Sequence, residues 1–218
     1  MSKLLKKLML MTALFVSMAT MAQSRETTTL TVCDGTNTSS VIPFYGDDYA
    51  SARFEEFIIP ASELQSMNGG SISAMHFYHY SGGNNDSWPG YWRVFLIEVN
   101  YTNLDTYVNL TNLESNATLV YYGTLNRSMM TNNIPFNGGN TYPQNYSGNH
   151  SSNYIYQGGN LLVVLYKESS SSTNQGIVRF YGVSTDYFSS RYVRSTDNWG
   201  YKFIPKTTFT YEPGSTYT

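Results

Sequence analysis

The chain has 218 residues, a formal net charge of −2, one cysteine and three histidines. Charged residues make up only 13%, whereas aromatic residues reach 16% and include 20 tyrosines. A net-acidic chain without blocks of lysine or arginine is a poor candidate for binding nucleic acid. One cysteine excludes an internal disulfide and a cysteine-rich zinc site, and the aromatic content argues against disorder.

The first 22 residues have the pattern of a signal peptide. A basic head precedes the apolar run Leu8–Met18, which is too short to span a bilayer. Thr20 and Ala22 are small residues at the positions that cleavage before Gln23 requires. We therefore expect a secreted or cell-surface protein; an amphipathic N-terminal helix is the less favoured alternative. Cleavage after Ala22 leaves 196 residues and removes three lysines, so the net charge becomes −5.

Predicted strands dominate the rest of the chain, because runs rich in Thr, Val, Ile, Tyr and Phe alternate with clusters of Gly, Asn and Ser. We expect strands at Thr27–Cys33, Arg53–Ile59, Ser71–Tyr80, Tyr91–Asn100, Ala117–Tyr122, Met129–Phe136, Asn160–Lys167, Ile177–Gly182, Ser189–Arg194 and Lys202–Tyr211. Only Pro60–Met67 has the pattern of a helix, of one or two turns. About ten strands with one short helix predict two packed sheets or a closed barrel.

Two of the predicted strands are apolar on both faces. Leu161–Leu165 is an unbroken apolar run, and Tyr91–Asn100 places Trp92 on one side and Phe95 on the other among further apolar residues. Such strands are typical of the interior of a sheet. We expect a single β-domain over residues 23–213, followed by a frayed tail at 214–218.

Five segments of the chain together carry a resemblance to a known module. They are DGTNTSSVIPFYGDDY at Asp34–Tyr49, IIPASELQSMNGGSISAMHFY at Ile58–Tyr78, VFLIEV at Val94–Val99, GGNLLVVLY at Gly158–Tyr166 and IPKTTFTY at Ile204–Tyr211. In this order they resemble a module of secreted surface proteins of Bacteroidota, and the similarity extends from Thr27 to Pro213, which is nearly all of the mature chain. It implies a jelly-roll-like antiparallel β-sandwich that acts in adhesion or glycan contact, and it implies no catalytic residues.

Patterns for catalysis are weak in this sequence. Glu55 and Glu56 are adjacent on a predicted strand, so their side chains point to opposite faces and cannot flank one glycosidic bond. His76 and His79 have the spacing of a metal pair on a helix, but on an extended strand that spacing separates them to opposite faces. Cys33 lies in an apolar run, which is typical of a buried and inert thiol. We therefore predict a protein that is not an enzyme and that uses no cofactor.

Calcium is the one metal for which the sequence offers a set of ligands. Asp47 and Asp48 follow Gly46 in a predicted loop, and Asp34 lies in the neighbouring loop. Loop carboxylates are typical calcium ligands, although a solvated turn accounts for the same residues and no EF-hand spacing is present. A structural calcium ion at these three aspartates is therefore the weaker alternative to a chain without metal.

Three segments combine aromatic rings with short polar side chains. They are SGGNNDSWPGY at Ser81–Tyr91, NGGNTYPQNYSGNHSSNYIY at Asn137–Tyr156 and DNWGY at Asp197–Tyr201, and we expect all three to be loops. Aromatic rings meet the C–H faces of sugars, while amides and carboxylates bind the hydroxyl groups. The predicted ligand-binding residues are Trp88, Asn84, Asn85, Asp86, Trp199, Asn198, Tyr201, Tyr142 and Tyr146. For each residue the alternative is a purely structural ring or turn at the end of the sandwich.

These features predict a secreted, non-enzymatic binding module whose partner is an extracellular glycan or a surface protein. We expect no nucleic-acid partner and no membrane span. One alternative is a structural or adhesin subunit that meets other proteins through exposed strand edges or aromatic patches. A less favoured alternative is a hydrolase whose triad or pair of carboxylates is assembled only by the fold.

Overall fold

The computed structural model describes residues 26–45, 53–82, 87–104, 115–126, 133–138, 148–168, 177–194 and 197–214. Over these ranges the chain forms fifteen strands and two short 3-10 turns. The strands are β1 (Thr28–Val32), β2 (Asn37–Ser39), β3 (Arg53–Ile59), β4 (Ser71–Phe77), β5 (His79–Gly82), β6 (Ser87–Val99), β7 (Thr118–Asn126), β8 (Ile134–Pro135), β9 (Tyr154–Ile155), β10 (Asn160–Lys167), β11 (Val178–Ser184), β12 (Ser190–Arg194), β13 (Asp197–Tyr201), β14 (Phe203–Pro205) and β15 (Thr207–Glu212). The turns, Ala61–Glu63 and Gln65–Met67, occupy the segment for which we predicted a short helix.

Three antiparallel sheets build the fold. The largest has six strands in the order β13-β12-β3-β10-β6-β7. A five-stranded sheet has the order β1-β15-β4-β8, with β9 also paired to β4, and a four-stranded sheet has the order β14-β11-β2, with β5 paired to β11. The prediction of an all-β antiparallel sandwich is confirmed. Among the described residues, no helix has the length and the hydrophobicity that a bilayer crossing requires.

The main hydrophobic core lies between the six-stranded sheet and the two smaller sheets. Phe57 of β3 and Val163 of β10 enter it from one side, and Phe209 of β15 enters it from the other. Because successive side chains of a strand point to opposite faces, the alternate residues of the same strands form a second apolar cluster, which includes Phe95 and Leu162. The prediction that β6 and β10 are interior strands is therefore confirmed.

β3 is buried along its whole length although it carries three charged residues. Arg53 and Glu55 lie on the face of the main core and form an ion pair, with 3.1 Å between Nε and Oε1. Glu56 points to the other face, where two nitrogens of the Arg191 guanidinium donate hydrogen bonds to its Oε1. The prediction that Glu55 and Glu56 occupy opposite faces is confirmed. Each carboxylate thus has an arginine partner, and removing that partner from a buried pair typically costs about 3–5 kcal/mol.

Parts of all three predicted loops are strand instead, including β9 within the predicted loop Asn137–Tyr156. Trp88 lies on β6, in register with Leu125 of β7, and Trp199 lies on β13, in register with Tyr192 of β12. The prediction of a loop at these two tryptophans was wrong. Asn, Asp and Gly have low strand propensity, but pairing with a neighbouring strand outweighs that preference.

His76 and His79 each contact an aromatic ring, and Cys33 is buried. The ring of His76 contacts Tyr78 at 4.4 Å between centroids, whereas the ring of His79 contacts Phe180 at 6.0 Å. Within the described ranges, no three His, Cys, Asp or Glu residues form a group that could hold a metal ion. Cys33 is buried and forms no disulfide, as predicted.

Candidate functional site

An exposed tryptophan stacks on a buried tyrosine at one edge of the six-stranded sheet. β12 and β13 form a hairpin whose register places Trp199 directly opposite Tyr192. The two rings are nearly parallel, with centroids 5.4 Å apart and an interplanar angle of 11°. Trp199 is 47% exposed, whereas Tyr192 is 1% exposed. The buried ring therefore packs against one face of the exposed ring and restrains its orientation.

Three further residues complete a shallow cavity around this pair. The ring of Tyr45 meets Tyr192 edge-on at 5.4 Å. Tyr201, two residues along β13 from Trp199, points to the same face, and Val41 closes the lining. The cavity measures about 260 Å³. It is an aromatic recess that opens beside the edge strand.

A buried ion pair holds Tyr45 at the wall of this cavity. The backbone N–H of Tyr45 donates to Oε1 of Glu55 at 3.1 Å, and the guanidinium of Arg53 donates to the backbone oxygen of Tyr45. Arg53 also lies over the ring of Trp92, 5.5 Å from its centroid. The charged groups of β3 thus fix the backbone of a residue that lines the cavity, although they do not line it themselves.

The described residues that line the cavity carry no charge and offer phenol hydroxyls. Burial, and after it the neighbouring Tyr45, raises the pKa of Tyr201, so its phenol keeps its proton at neutral pH. A protonated phenol both donates and accepts hydrogen bonds. Among the described lining residues there is no carboxylate, imidazole or thiol. The chemistry that this arrangement supports is stacking and hydrogen bonding, which are the requirements for binding.

The structure brings some of the predicted site residues together and separates others. Trp199 and Tyr201 share the cavity, but Asn198, the residue before Trp199 on β13, faces the opposite side of the sheet. Trp88 lies on β6, which four inter-strand steps separate from β13, or about 19 Å. The two tryptophans therefore do not meet at one cavity.

Other predicted positions fall elsewhere. Residues 1–22, with the predicted signal peptide, lie outside the described residues, and so do Asp47, Asp48, Asn84, Asn85, Asp86, Tyr142 and Tyr146. Asp34, the third predicted calcium ligand, forms an ion pair with Lys206 at 2.5 Å. Lys206 in turn lies over the ring of Tyr78, 4.2 Å from its centroid. The described part of the chain thus gives Asp34 a lysine partner.

Sequence reasoning missed Tyr45 and Tyr192, which form half of the aromatic lining. A signal for Tyr192 was present: only two residues separate Arg194 from Asp197. Two strands joined by two residues form a hairpin, and that hairpin would pair position 192 with position 199. For Tyr45 no such local signal exists, because its place depends on ionic contacts to β3.

Comparisons with known proteins found no relative of this chain. No protein-family model matches the chain. Neither a curated protein nor a solved structure shows significant similarity to it.

Proposed function

We propose that this protein is a secreted, non-enzymatic binding module that holds a neutral glycan in the cavity beside β13. The observation that supports the proposal most directly is the exposed indole of Trp199, stacked on the buried ring of Tyr192. Stacking of this kind presents a flat, rigid and apolar surface at little cost in side-chain entropy. The C–H face of a sugar ring is complementary to such a surface.

The size and polarity of the cavity favour one sugar ring. Its volume of about 260 Å³ lies just below the range of about 300–1,000 Å³ that is typical of pockets for drug-sized ligands. The phenols of Tyr45 and Tyr201 can bind ring hydroxyls by donating or accepting. Because no described residue of the lining is charged, we expect the affinity to change little between low and moderate salt.

Glycan-array binding of the purified protein tests this function, with two variants as the comparison. Trp199→Ala removes the exposed ring and should weaken the strongest array signal at least tenfold. Tyr80→Ala removes another exposed tyrosine, which lies on β5 in a different sheet, and should leave the signal unchanged. Circular dichroism confirms that both variants are folded. Binding that survives Trp199→Ala, or no saccharide binding at all, would contradict the proposal.

A protein partner is the second candidate, and the open edge of β13 is the observation that favours it. Within the described part of the chain, β13 pairs with β12 alone. Asn198, Trp199 and Gly200 are exposed on it. An edge strand of this kind can pair with an extended segment of another protein. Self-association in size-exclusion chromatography, without any saccharide-induced rise in Tm, would favour this function over glycan binding.

A further inference from the structure

A second pair of stacked rings lies at the opposite edge of the six-stranded sheet. Tyr91 of β6 and Tyr122 of β7 are parallel, with centroids 5.2 Å apart and an interplanar angle of 9°. Tyr91 is 49% exposed, whereas Tyr122 is buried. The pair repeats the relation between Trp199 and Tyr192, in which a buried ring supports an exposed one.

Charged groups border these two tyrosines. Arg93 and Glu168 form an ion pair that keeps part of its surface in solvent. The phenol of Tyr122 donates to the other carboxylate oxygen of Glu168 at 3.2 Å. The guanidinium of Arg93 lies over the ring of Tyr166, 5.2 Å from its centroid. A guanidinium donates and a carboxylate accepts, so the border of the ring pair can bind neighbouring hydroxyl groups of one ligand.

The two ring pairs lie on opposite faces of the sheet. Tyr166, in register with Arg93, packs against the second apolar cluster. Residues that are in register on paired strands lie on the same face of a sheet. Trp199 is in register with Tyr192, and Tyr192 is in register with Glu55, so all three lie on the face of the main core. Five inter-strand steps separate β13 from β7, or about 24 Å. A single sugar ring therefore cannot contact both pairs.

We propose that Tyr91, Tyr122, Arg93 and Glu168 form a second carbohydrate site. It takes one sugar ring, with the C–H face on Tyr91 and with adjacent hydroxyl groups on the ionic pair. This inference rests on the proposed function, because both sites take a carbohydrate. The second site uses other residues, the other face of the sheet and other polar groups than the cavity beside β13. Two sites on opposite faces allow one molecule to hold two glycan chains.

Isothermal titration calorimetry with neutral hexasaccharides tests the second site. A panel of glucose, xylose, mannose and galactose hexamers is titrated into the purified protein, and the hexamer with the largest heat is then used throughout. The unmodified protein should bind two equivalents. Trp199→Ala and Tyr91→Ala should each bind one, and the double variant should bind none. Tyr80→Ala, the matched exposed tyrosine on β5, should still bind two.

The outcomes separate the second site from the proposed function. The unmodified protein could instead bind one equivalent, which Trp199→Ala loses and Tyr91→Ala keeps. That result would overturn the second site but not the proposed function. No heat with any hexamer would overturn both. If Tyr91→Ala is poorly folded, Tyr91→Leu and Arg93→Gln replace it, and two equivalents in both variants would likewise overturn the second site.

Discussion

The indole ring of Trp199 lies 5.4 Å from the ring of Tyr192 and 11° from parallel to it. Their positions differ in one respect that matters for binding: Tyr192 is buried, whereas Trp199 faces solvent. Stacked aromatic pairs contribute about 0.5–1.5 kcal/mol beyond the area that they bury. That energy restrains the exposed ring before any ligand arrives, so less entropy is lost when a ligand binds.

Removing the ring that supports Trp199 should weaken saccharide binding. Tyr192→Leu keeps an apolar side chain at the buried position but abolishes the stack, and we expect the Kd to rise roughly 2- to 10-fold, the loss of about 0.5–1.5 kcal/mol. Tyr192→Phe preserves the stack and should bind nearly as the unmodified protein does. Titration calorimetry measures both values. Equal affinity for the Leu and Phe variants would show that the stack does not organise the site.

The neighbouring carboxylates Glu55 and Glu56 provide a matched pair of substitutions. Each carboxylate is buried in an ion pair with an arginine. Glu55→Gln and Glu56→Gln should therefore each lower the free energy of unfolding, by about 3–5 kcal/mol, because the arginine charge is left uncompensated. Of the two, Glu55 accepts a hydrogen bond from the backbone N–H of Tyr45, and its ion-pair partner Arg53 donates to the backbone oxygen of the same residue. Glu55→Gln removes the charge that holds Arg53 in place, so we expect this variant, and not Glu56→Gln, to weaken saccharide binding. Urea unfolding and calorimetry measure the two effects, and an equal loss of affinity in both variants would contradict the role of Glu55.

Stability should fall at alkaline pH because buried phenols retain their protons. Burial raises the pKa of Tyr121 and of Tyr156 from 10.0 to about 12, with the charge of Glu98 adding to the effect at Tyr156. The folded value lies above the unfolded one, so this stabilisation is complete below about pH 10 and is lost as the pH rises towards 12. Each phenol contributes at most about 1.4 kcal/mol per pH unit.

The pH dependence of urea unfolding between about pH 9 and pH 11 checks this prediction. Tyr121→Phe removes one titrating phenol and should reduce the slope of unfolding free energy against pH. It also removes the hydrogen bond to the backbone oxygen of Thr124, so the absolute stability falls while the slope becomes smaller. An unchanged slope in this variant would contradict the assignment.

The thiol of Cys33 should resist alkylation in the folded protein. Burial, and after it the charge of Glu63, raises its pKa to about 12, so almost no thiolate forms at about pH 8. We expect iodoacetamide to react at least about 100-fold more slowly with the folded protein than with the protein in guanidinium chloride. Mass spectrometry follows the reaction. Rates within tenfold of each other would show that the thiol is accessible.

The alternation of side chains along single strands could be predicted because it depends on the chain alone. The opposite faces of Glu55 and Glu56 and the interior position of β10 both follow from a period of two residues and from runs of apolar side chains. For the segment DNWGY at Asp197–Tyr201 the same reasoning gave a wrong prediction. Its polar and small residues favour a loop, but pairing with β12 makes it a strand.

By itself, the sequence determined the class of fold, the strands that carry the core, the burial of Cys33 and the choice of Trp199 and Tyr201 as candidate binding residues. Each of these depends on composition or on contacts between near neighbours in the chain. Only the tertiary structure decided that Tyr45 and Tyr192 join Trp199, that Asn198 faces away and that Trp88 lies about 19 Å across the sheet. The physical reason is that a cavity is made by strand register and by long-range ionic contacts, and neither is encoded in any single segment.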